Sequence, residues 1–449
     1  MKILDASLAI RRRTITSQEL VERCLRNIKA QDSQAEAAFT QVHSAEDLLN
    51  QAKSVDRGLK SGKSLPQFAG IPISIKDAFD IKGELTRAGS KVLENSPVAE
   101  RDATVVHRLR AAGFLIVGRT NMTEFAYSGL GVNPHFGTPL NPYERDVGRI
   151  PGGSSSGAAI SVSDGMALAA LGTDTGGSCR IPAALCGIVG LKPTASRVPQ
   201  RGVFPLSPSL DSVGSLAQSV ACCSIVDAVV SNDQVDVEIK PLPLGGLRLA
   251  VPKSLVLEDM DDAVACSFSD ALRRLAGAGA VITEEPCNEF LRIPDINAKG
   301  GFAAAESYAQ HRKLIADHHD DYDPRILRRI LKGREQSAAD YLDIVRARRE
   351  LKMAFRNISS KCDALIYPTV PRIAPKLGDL VDDESYDFLN LLMLRNPAVV
   401  NLIDGCAISV PCHEVGAAPV GLMLVSEAGS DRRLLSIASS VEMLLAPKH

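Results

Sequence analysis

Two hydroxyl-rich glycine loops carry most of the chemistry open to this chain. The first is Gly152-Gly153-Ser154-Ser155-Ser156-Gly157 and the second is Thr173-Asp174-Thr175-Gly176-Gly177-Ser178. Glycine leaves the backbone bare, so the amides around Ser178 can close on a developing negative charge, as an oxyanion hole requires. Upstream, Ile71-Pro72-Ile73-Ser74-Ile75-Lys76 reads as an apolar strand that ends in a lysine. Side chains alternate along a strand, so the three isoleucines share one face and Lys76 shares the other with Ser74. A serine nucleophile needs a base, and a lysine held neutral by apolar surroundings can be one. These residue types point to an enzyme that attacks a carbonyl with serine.

Each element alone has a blander reading. Gly152–Gly157 could be a flexible linker, Lys76 a strand-end lysine reaching for water, and Ser178 a cap or turn residue. The first loop also contains G-x-S-x-G centred on Ser155, the pattern of a nucleophile elbow. That elbow needs a buried strand directly before it, and Asp146-Val147-Gly148-Arg149-Ile150-Pro151 is too polar and broken to be one. A Walker phosphate loop is excluded, because Gly-Lys-Ser/Thr is missing.

The elements that must position these residues alternate strand and helix. Thr16-Ser17-Gln18-Glu19 has the form of a capping box, followed by Leu20, Val21, Cys24, Leu25 and Ile28 on one helical face. Residues 103–112 read as a helix with Asp102 as its cap and Gly113 as its end, and 114–117 as a buried strand. Strand, helix, strand at this spacing is α/β organisation. From about Lys240 to Lys361 the texture changes. A short strand near 247–251 leads into a helical, charged stretch, with 336–358 as its longest helix. Strands return at 363–367, 406–410 and 420–425, and a closing helix carries Leu434, Ile437, Ala438, Val441, Leu444 and Leu445 on one face. With no linker between these parts, residues 1–449 are expected to form one domain with a helical middle region at about 252–361.

Composition narrows the function class. The hydrophobic fraction is 45 %, enough for a sizeable core without disulfides. A net charge of −2 argues against wholesale binding of nucleic acid or anionic membrane. The 10 cysteines include no C-x-x-C pair, which suits reduced, buried thiols in a cytoplasmic protein. The only close histidine pair, His318-His319, lacks metal-ligand spacing, so neither a metal nor any other cofactor is expected. No run approaches the ~20 apolar residues needed to span a bilayer, and no signal peptide is evident.

Taken together, the motifs resemble the amidase signature family. Its lysine motif corresponds to Gly70-Ile71-Pro72-Ile73-Ser74-Ile75-Lys76-Asp77, its bridging serine to Ser154, and its T-D-x-G-G-S-x-R motif to Thr173–Arg180. Ser154 and Ser178 lie 24 positions apart, as the family's spacing demands. Further matches are 118–125, 133–137 and 202–211, with weaker echoes at 367–369 and 419–422. Gly214-Ser215-Leu216-Ala217-Gln218 departs from the family, which more often has proline and arginine there. The resemblance implies an α/β amidase signature fold, a central mixed β-sheet covered by helices on both faces. It also implies a catalytic triad of Lys76, Ser154 in a cis peptide bond, and the nucleophile Ser178. The amides of Thr175, Gly176 and Gly177, with that of Ser178, are expected to hold the oxyanion. Tyr127 and Ser128 are expected to line the acyl pocket. Asp174 and Arg180 are read as an ion pair that fixes the loop, and Cys179 as packing.

The expected reaction is hydrolysis of a small carboxylic amide through an acyl-enzyme, releasing ammonia or an amine. Its partner is a small-molecule amide, with no nucleic acid and no membrane, and a homodimer is left open. The rival reading is the glutaminase subunit of a tRNA-dependent amidotransferase. Its support is the basic run Arg325, Arg328, Arg329, Lys332, Arg334, Arg346, Arg348, Arg349, Lys352 and Arg356. Such a run is more often a solvated helix face, although one of these residues could hold a substrate carboxylate. Aromatic residues make up only 4 % of the chain and tryptophan is absent, so a large aromatic cage is not expected.

Overall fold

The computed structural model describes residues 1–233 and 238–446. Its strands are β1 (Phe39–Val42), β2 (Pro72–Lys76), β3 (Leu115–Thr120), β4 (Ala169–Asp174), β5 (Val189–Lys192), β6 (Ser212–Ala217), β7 (Arg248–Pro252), β8 (Val281–Glu285), β9 (Ala364–Pro368), β10 (Cys406–Pro411) and β11 (Gly421–Ser426). They form one sheet in the order β1-β3-β2-β4-β6-β5-β10-β11-β9-β7-β8. The sheet is mixed. β2 runs parallel to β3 and β4, and β7 runs parallel to β8 and β9, while the central pairings from β4 to β9 are antiparallel.

Period-two alternation along the strands builds a core on each face. Leu249, Val251, Ile366, Ile408, Leu422 and Leu424 belong to one core, where helices Thr104–Ala111, Val220–Ser231, Asp262–Gly277 and Asp431–Leu445 pack. Their neighbours Ala250, Leu365, Tyr367, Ala407, Met423 and Val425 face the other way, toward helices Ala338–Ser359 and Asp383–Ile403. Near the glycine loops that second face is covered by helices Ser156–Ser163 and Arg180–Leu185.

Several expectations hold residue by residue. Thr16 and Glu19 make the capping box, with Leu20, Val21 and Cys24 buried behind it. The three C-terminal strands and the closing helix fall where expected. None of the ten cysteines is disulfide-bonded, and all except Cys266 are buried. Other expectations need correction. Asp102 does not cap the helix that begins at Thr104; its carboxylate instead accepts from Lys82 N and pairs with Arg110. The middle region is mostly helical, as expected, but it also holds a strand, β8, at the sheet edge beside β7. A helix at Ala45–Lys60 occupies a stretch that reads only as polar. Among the described residues, no helix is long and apolar enough to cross a membrane, and no cluster of three metal-ligating side chains occurs.

Candidate active site

The parallel pairing of β2 with β4 brings their C-terminal ends, Lys76 and Thr173–Asp174, side by side. Ile73 and Ile75 enter one core, while Ser74 Oγ meets Ser161 Oγ at 2.8 Å on the opposite face. Ser161 lies on the helix Ser156–Ser163, which begins within the first glycine loop. Lys76 follows Ser74 onto that face and has no solvent exposure. Its Nζ donates to Ser154 Oγ at 2.8 Å and to Thr173 Oγ1 at 2.7 Å. Burial lowers the lysine's pKa to about 8, against the opposing pull of Cys179, Asp174 and Asp211. No carboxylate bonds Nζ directly, so desolvation dominates and the neutral amine becomes accessible near physiological pH.

The peptide bond between Gly153 and Ser154 is cis. A side chain at residue 153 could not fit, since a Cβ would sit 2.6 Å from Gly131 N. The second loop docks against the first through Ser155 N, which donates to Ser178 O at 3.2 Å. Ser155 itself is fully buried and its hydroxyl donates to Thr173 O. No strand precedes it, only a 3-10 turn at Arg145–Val147, so the geometry of a nucleophile elbow is not met.

The turn bearing Ser178 is held from beneath by a buried carboxylate. Asp174 Oδ1 accepts from Gly177 N at 2.9 Å and Oδ2 from Cys179 N at 3.1 Å. Arg180 closes a two-pronged pair on the same group, Nη2 to Oδ1 at 2.8 Å and Nε to Oδ2 at 3.0 Å, with neither side chain exposed. Burial opposes the charge on Asp174, yet Arg180, Lys192 and Asn401 together hold its pKa below the ordinary range. The ion pair thus fixes the loop, as expected. One oxyanion assignment changes. The Gly177 N–H is committed to Asp174 and is not available to an oxyanion. Gly177 is needed for a different reason. Its φ is +126°, and a Cβ would lie 2.6 Å from Pro397 Cγ.

Thr175 Oγ1 donates to Asp211 Oδ1, and Asp211 Oδ2 accepts from the amides of Leu206 and Ser207 at 3.0 Å. Beside them lies a narrow pocket lined by the polar Thr173, Thr175, Gln200 and Asp211 and by the apolar Ala126, Val203 and Phe204. Phe125 lies behind this lining, with its ring centroid 5.3 Å from Phe204, 4.3 Å from His311 and 5.4 Å from Tyr322. Aromatic residues are few in the chain, but the fold gathers them here.

Neither Tyr127 nor Ser128 lines this pocket, although both were expected to line the acyl site. Tyr127 remains partly accessible and packs at the edge of the aromatic cluster. Ser128 is buried and its hydroxyl is fully engaged; it donates to Asn390 Oδ1 and accepts from Tyr386 OH, both at 2.8 Å. Sequence reasoning missed Thr173, Asp211, Asn390 and Asn401. The two asparagines carried a usable signal, being uncharged polar residues on the apolar face of a 21-residue helix, Asp383–Ile403.

The Amidase family model matches residues 19–435. A 2-amino-5-chloromuconic acid deaminase of Comamonas testosteroni is 34 % identical over 452 residues, covering 100 % of this chain and 97 % of the relative. A glutamyl-tRNA(Gln) amidotransferase subunit of Koribacter versatilis is 32 % identical, covering 99 % of this chain and 98 % of the relative. Among solved structures, an amidase superposes with a TM-score of 0.90 at 29 % identity, covering 99 % of this chain and 100 % of its own. This chain belongs to the amidase signature family of amide-hydrolysing enzymes.

Proposed function

We propose that this enzyme hydrolyses the C–N bond of a small carboxylic amide through an acyl-enzyme on Ser178, with Lys76 as base and Ser154 as the proton bridge. The observation that carries the reading is the 2.8 Å contact between the wholly buried amine of Lys76 and Ser154 Oγ, beside the glycine turn that bears Ser178. Neutral Lys76 takes the Ser154 proton while Ser154 takes that of Ser178, whose Oγ then bonds to the amide carbon. The electron pair moves to the carbonyl oxygen, where the amides of Thr175, Gly176 and Ser178 can stabilise it; one such donor is worth ~3–4 kcal/mol. Lys76 returns its proton through Ser154 to the nitrogen, the C–N bond breaks, and ammonia or an amine leaves. Water adds to the ester and gives a proton to Lys76 by the same relay; Lys76 then returns it through Ser154 to Ser178 Oγ as the ester C–O bond breaks, releasing the acid and the free serine. No metal or other cofactor takes part in any step.

The pocket beside the turn that bears Ser178 is narrow, which favours a small acyl group. Its polar wall of threonines, Gln200 and Asp211 suits a substrate with hydrogen-bonding groups. The relative's amino-chloromuconate is one model for such a substrate. The basic run is mostly committed within the protein. Arg325 and Arg328 pair with Asp383, Arg328 and Arg329 with Asp387, Arg346 with Asp343, and Lys352 with Asp404. Arg348 donates to the carbonyls of Asn401 and Leu402. Side chains already neutralised in this way favour a self-sufficient amidase of residues 1–449 over a member of a tRNA-dependent complex. The unpaired thiols fit a reducing cytoplasm. Ammonia release by the purified chain from a panel of small amides tests the reading; activity only with added partner proteins and glutamine would contradict it.

A further inference from the structure

The helix Asp383–Ile403 lies more than 200 positions beyond both serine loops in the sequence, yet it reaches the first of them through an unbroken chain of hydrogen bonds. Asn390, 1 % exposed, accepts at Oδ1 from Ser128 Oγ and Gly129 N, both at 2.8 Å. Gly129 O accepts from Gly153 N at 2.7 Å. Gly153 carries Ser154, whose Oγ lies 2.8 Å from Lys76 Nζ. One helical turn before Asn390, Tyr386 is also unexposed, and its hydroxyl donates to Ser128 Oγ at 2.8 Å. Residues four apart stack on one helix face, so Tyr386 and Asn390 grip Ser128 together.

The arginines of the helix Pro324–Leu331 sit on this grip. The guanidinium carbons of Arg325 and Arg329 lie 4.5 and 5.4 Å from the Tyr386 ring centroid. The same arginines pair with Asp383 and Asp387 on either side of Tyr386, and Arg329 Nη1 donates to Tyr127 O at 2.9 Å. Apolar side chains would fill this space without the cost of burying polar atoms. The polar groups present are those needed to fix the backbone at 127–129 and, through it, Gly153.

We propose that Asn390 and Tyr386 are positioning residues for the bridging serine, acting through Ser128, Gly129 and Gly153, and that Arg325 and Arg329 hold Tyr386 in that role. The inference rests on the reading of Ser154 as proton bridge. A bridging hydroxyl must keep hydrogen-bond distance to two partners at once, and a displacement of ~1 Å can cost ~100-fold in rate. Neither residue need touch the substrate, so binding should change little.

The test uses the full-length chain and a fluorophosphonate probe, whose reaction at Ser178 needs the relay but no knowledge of the natural amide. Wild type, Ser154→Ala, Asn390→Ala, Asn390→Asp and Tyr386→Phe are compared for maximal labelling rate and for the probe concentration giving half that rate. We expect Asn390→Ala to lower the maximal rate ~10–100-fold and Tyr386→Phe ~3–10-fold, with half-saturation within ~2-fold of wild type. Asn390→Asp keeps the accepting oxygen and should recover much of the loss. Should Asn390→Ala fail to fold, Tyr386→Phe, which removes a single oxygen, decides the matter. Maximal rates within ~2-fold of wild type for Asn390→Ala and Tyr386→Phe, with Ser154→Ala strongly slowed, would overturn this inference alone. A Ser154→Ala variant that labels at the wild-type rate would overturn the triad reading and this inference with it. A shift in half-saturation with an unchanged maximal rate would make these substrate contacts and would also overturn it.

Discussion

Lys76 Nζ reaches Ser154 Oγ at 2.8 Å from the end of a strand whose neighbouring side chains are all buried. The lysine has no exposed surface, and the nearby carboxylates of Asp174 and Asp211 are engaged by other groups. An amine in that setting gives up its proton far more readily than a surface lysine.

The first consequence is a pH profile. With burial lowering Lys76 to about 8, the neutral base is a minority at pH 7 and the majority above 8. Turnover should rise roughly tenfold per pH unit below that value and level off above it. Lys76→Arg should not restore activity, because a guanidinium stays protonated. Initial rates measured from acid to alkaline pH check this; a flat profile contradicts a lysine base.

A second consequence concerns stability, and its sign follows from the same shift. In the unfolded chain Lys76 titrates near ~10.4, so the unfolded state binds the proton more tightly than the folded one. The protonated lysine therefore opposes folding below about pH 8, by roughly 3 kcal/mol, and the penalty fades as pH rises toward ~10. Lys76→Met removes the penalty but also the contacts to Ser154 and Thr173. We expect an inactive protein at least as stable at neutral pH as wild type, measured by denaturant unfolding. A loss above ~2 kcal/mol would contradict the assignment of burial as the dominant influence.

The Asp174–Arg180 pair gives a third. Removing one partner of a buried pair strands the other charge, at ~3–5 kcal/mol. Arg180→Met should therefore destabilise the fold by about that amount and slow turnover, since Asp174 also holds the amides of Gly177 and Cys179. Asp174→Asn should do likewise. Thermal melting and ammonia release on the same samples check both effects.

How far the sequence foreshadowed this site depends on the distance over which each part is determined. Strand β2 was legible because its period-two pattern and its lysine are local. The T-D-T-G-G-S turn was legible because bare backbone next to a serine has a direct chemical meaning. The amides of that turn were less so: that Gly177 gives its N–H to Asp174 depends on how the turn folds back on itself. The helix Ala45–Lys60 carried a local signal that went unused, since Leu48, Ala52, Val55 and Leu59 recur at helical spacing among polar residues. Edge strand β8 escaped because all its side chains keep some exposure and its composition is mixed. Asn390 and Asn401 could not be tied to the serine loops at all, since only the tertiary fold brings them to Ser128 and Asp174.

Metal removal supplies a fourth prediction. The proposed relay uses two hydroxyls, one amine and backbone donors, so ammonia release should be unchanged after exhaustive dialysis against EDTA. Loss of activity that zinc or another divalent ion restores would contradict the relay.

The most direct test of the central claim is where a covalent adduct forms. A fluorophosphonate or sulfonyl fluoride reagent, followed by peptide mass spectrometry, should mark Ser178 alone, and Ser178→Ala should abolish both labelling and turnover while melting like the wild type. An adduct on Ser155, or near-wild-type ammonia release by Ser178→Ala, would contradict the account.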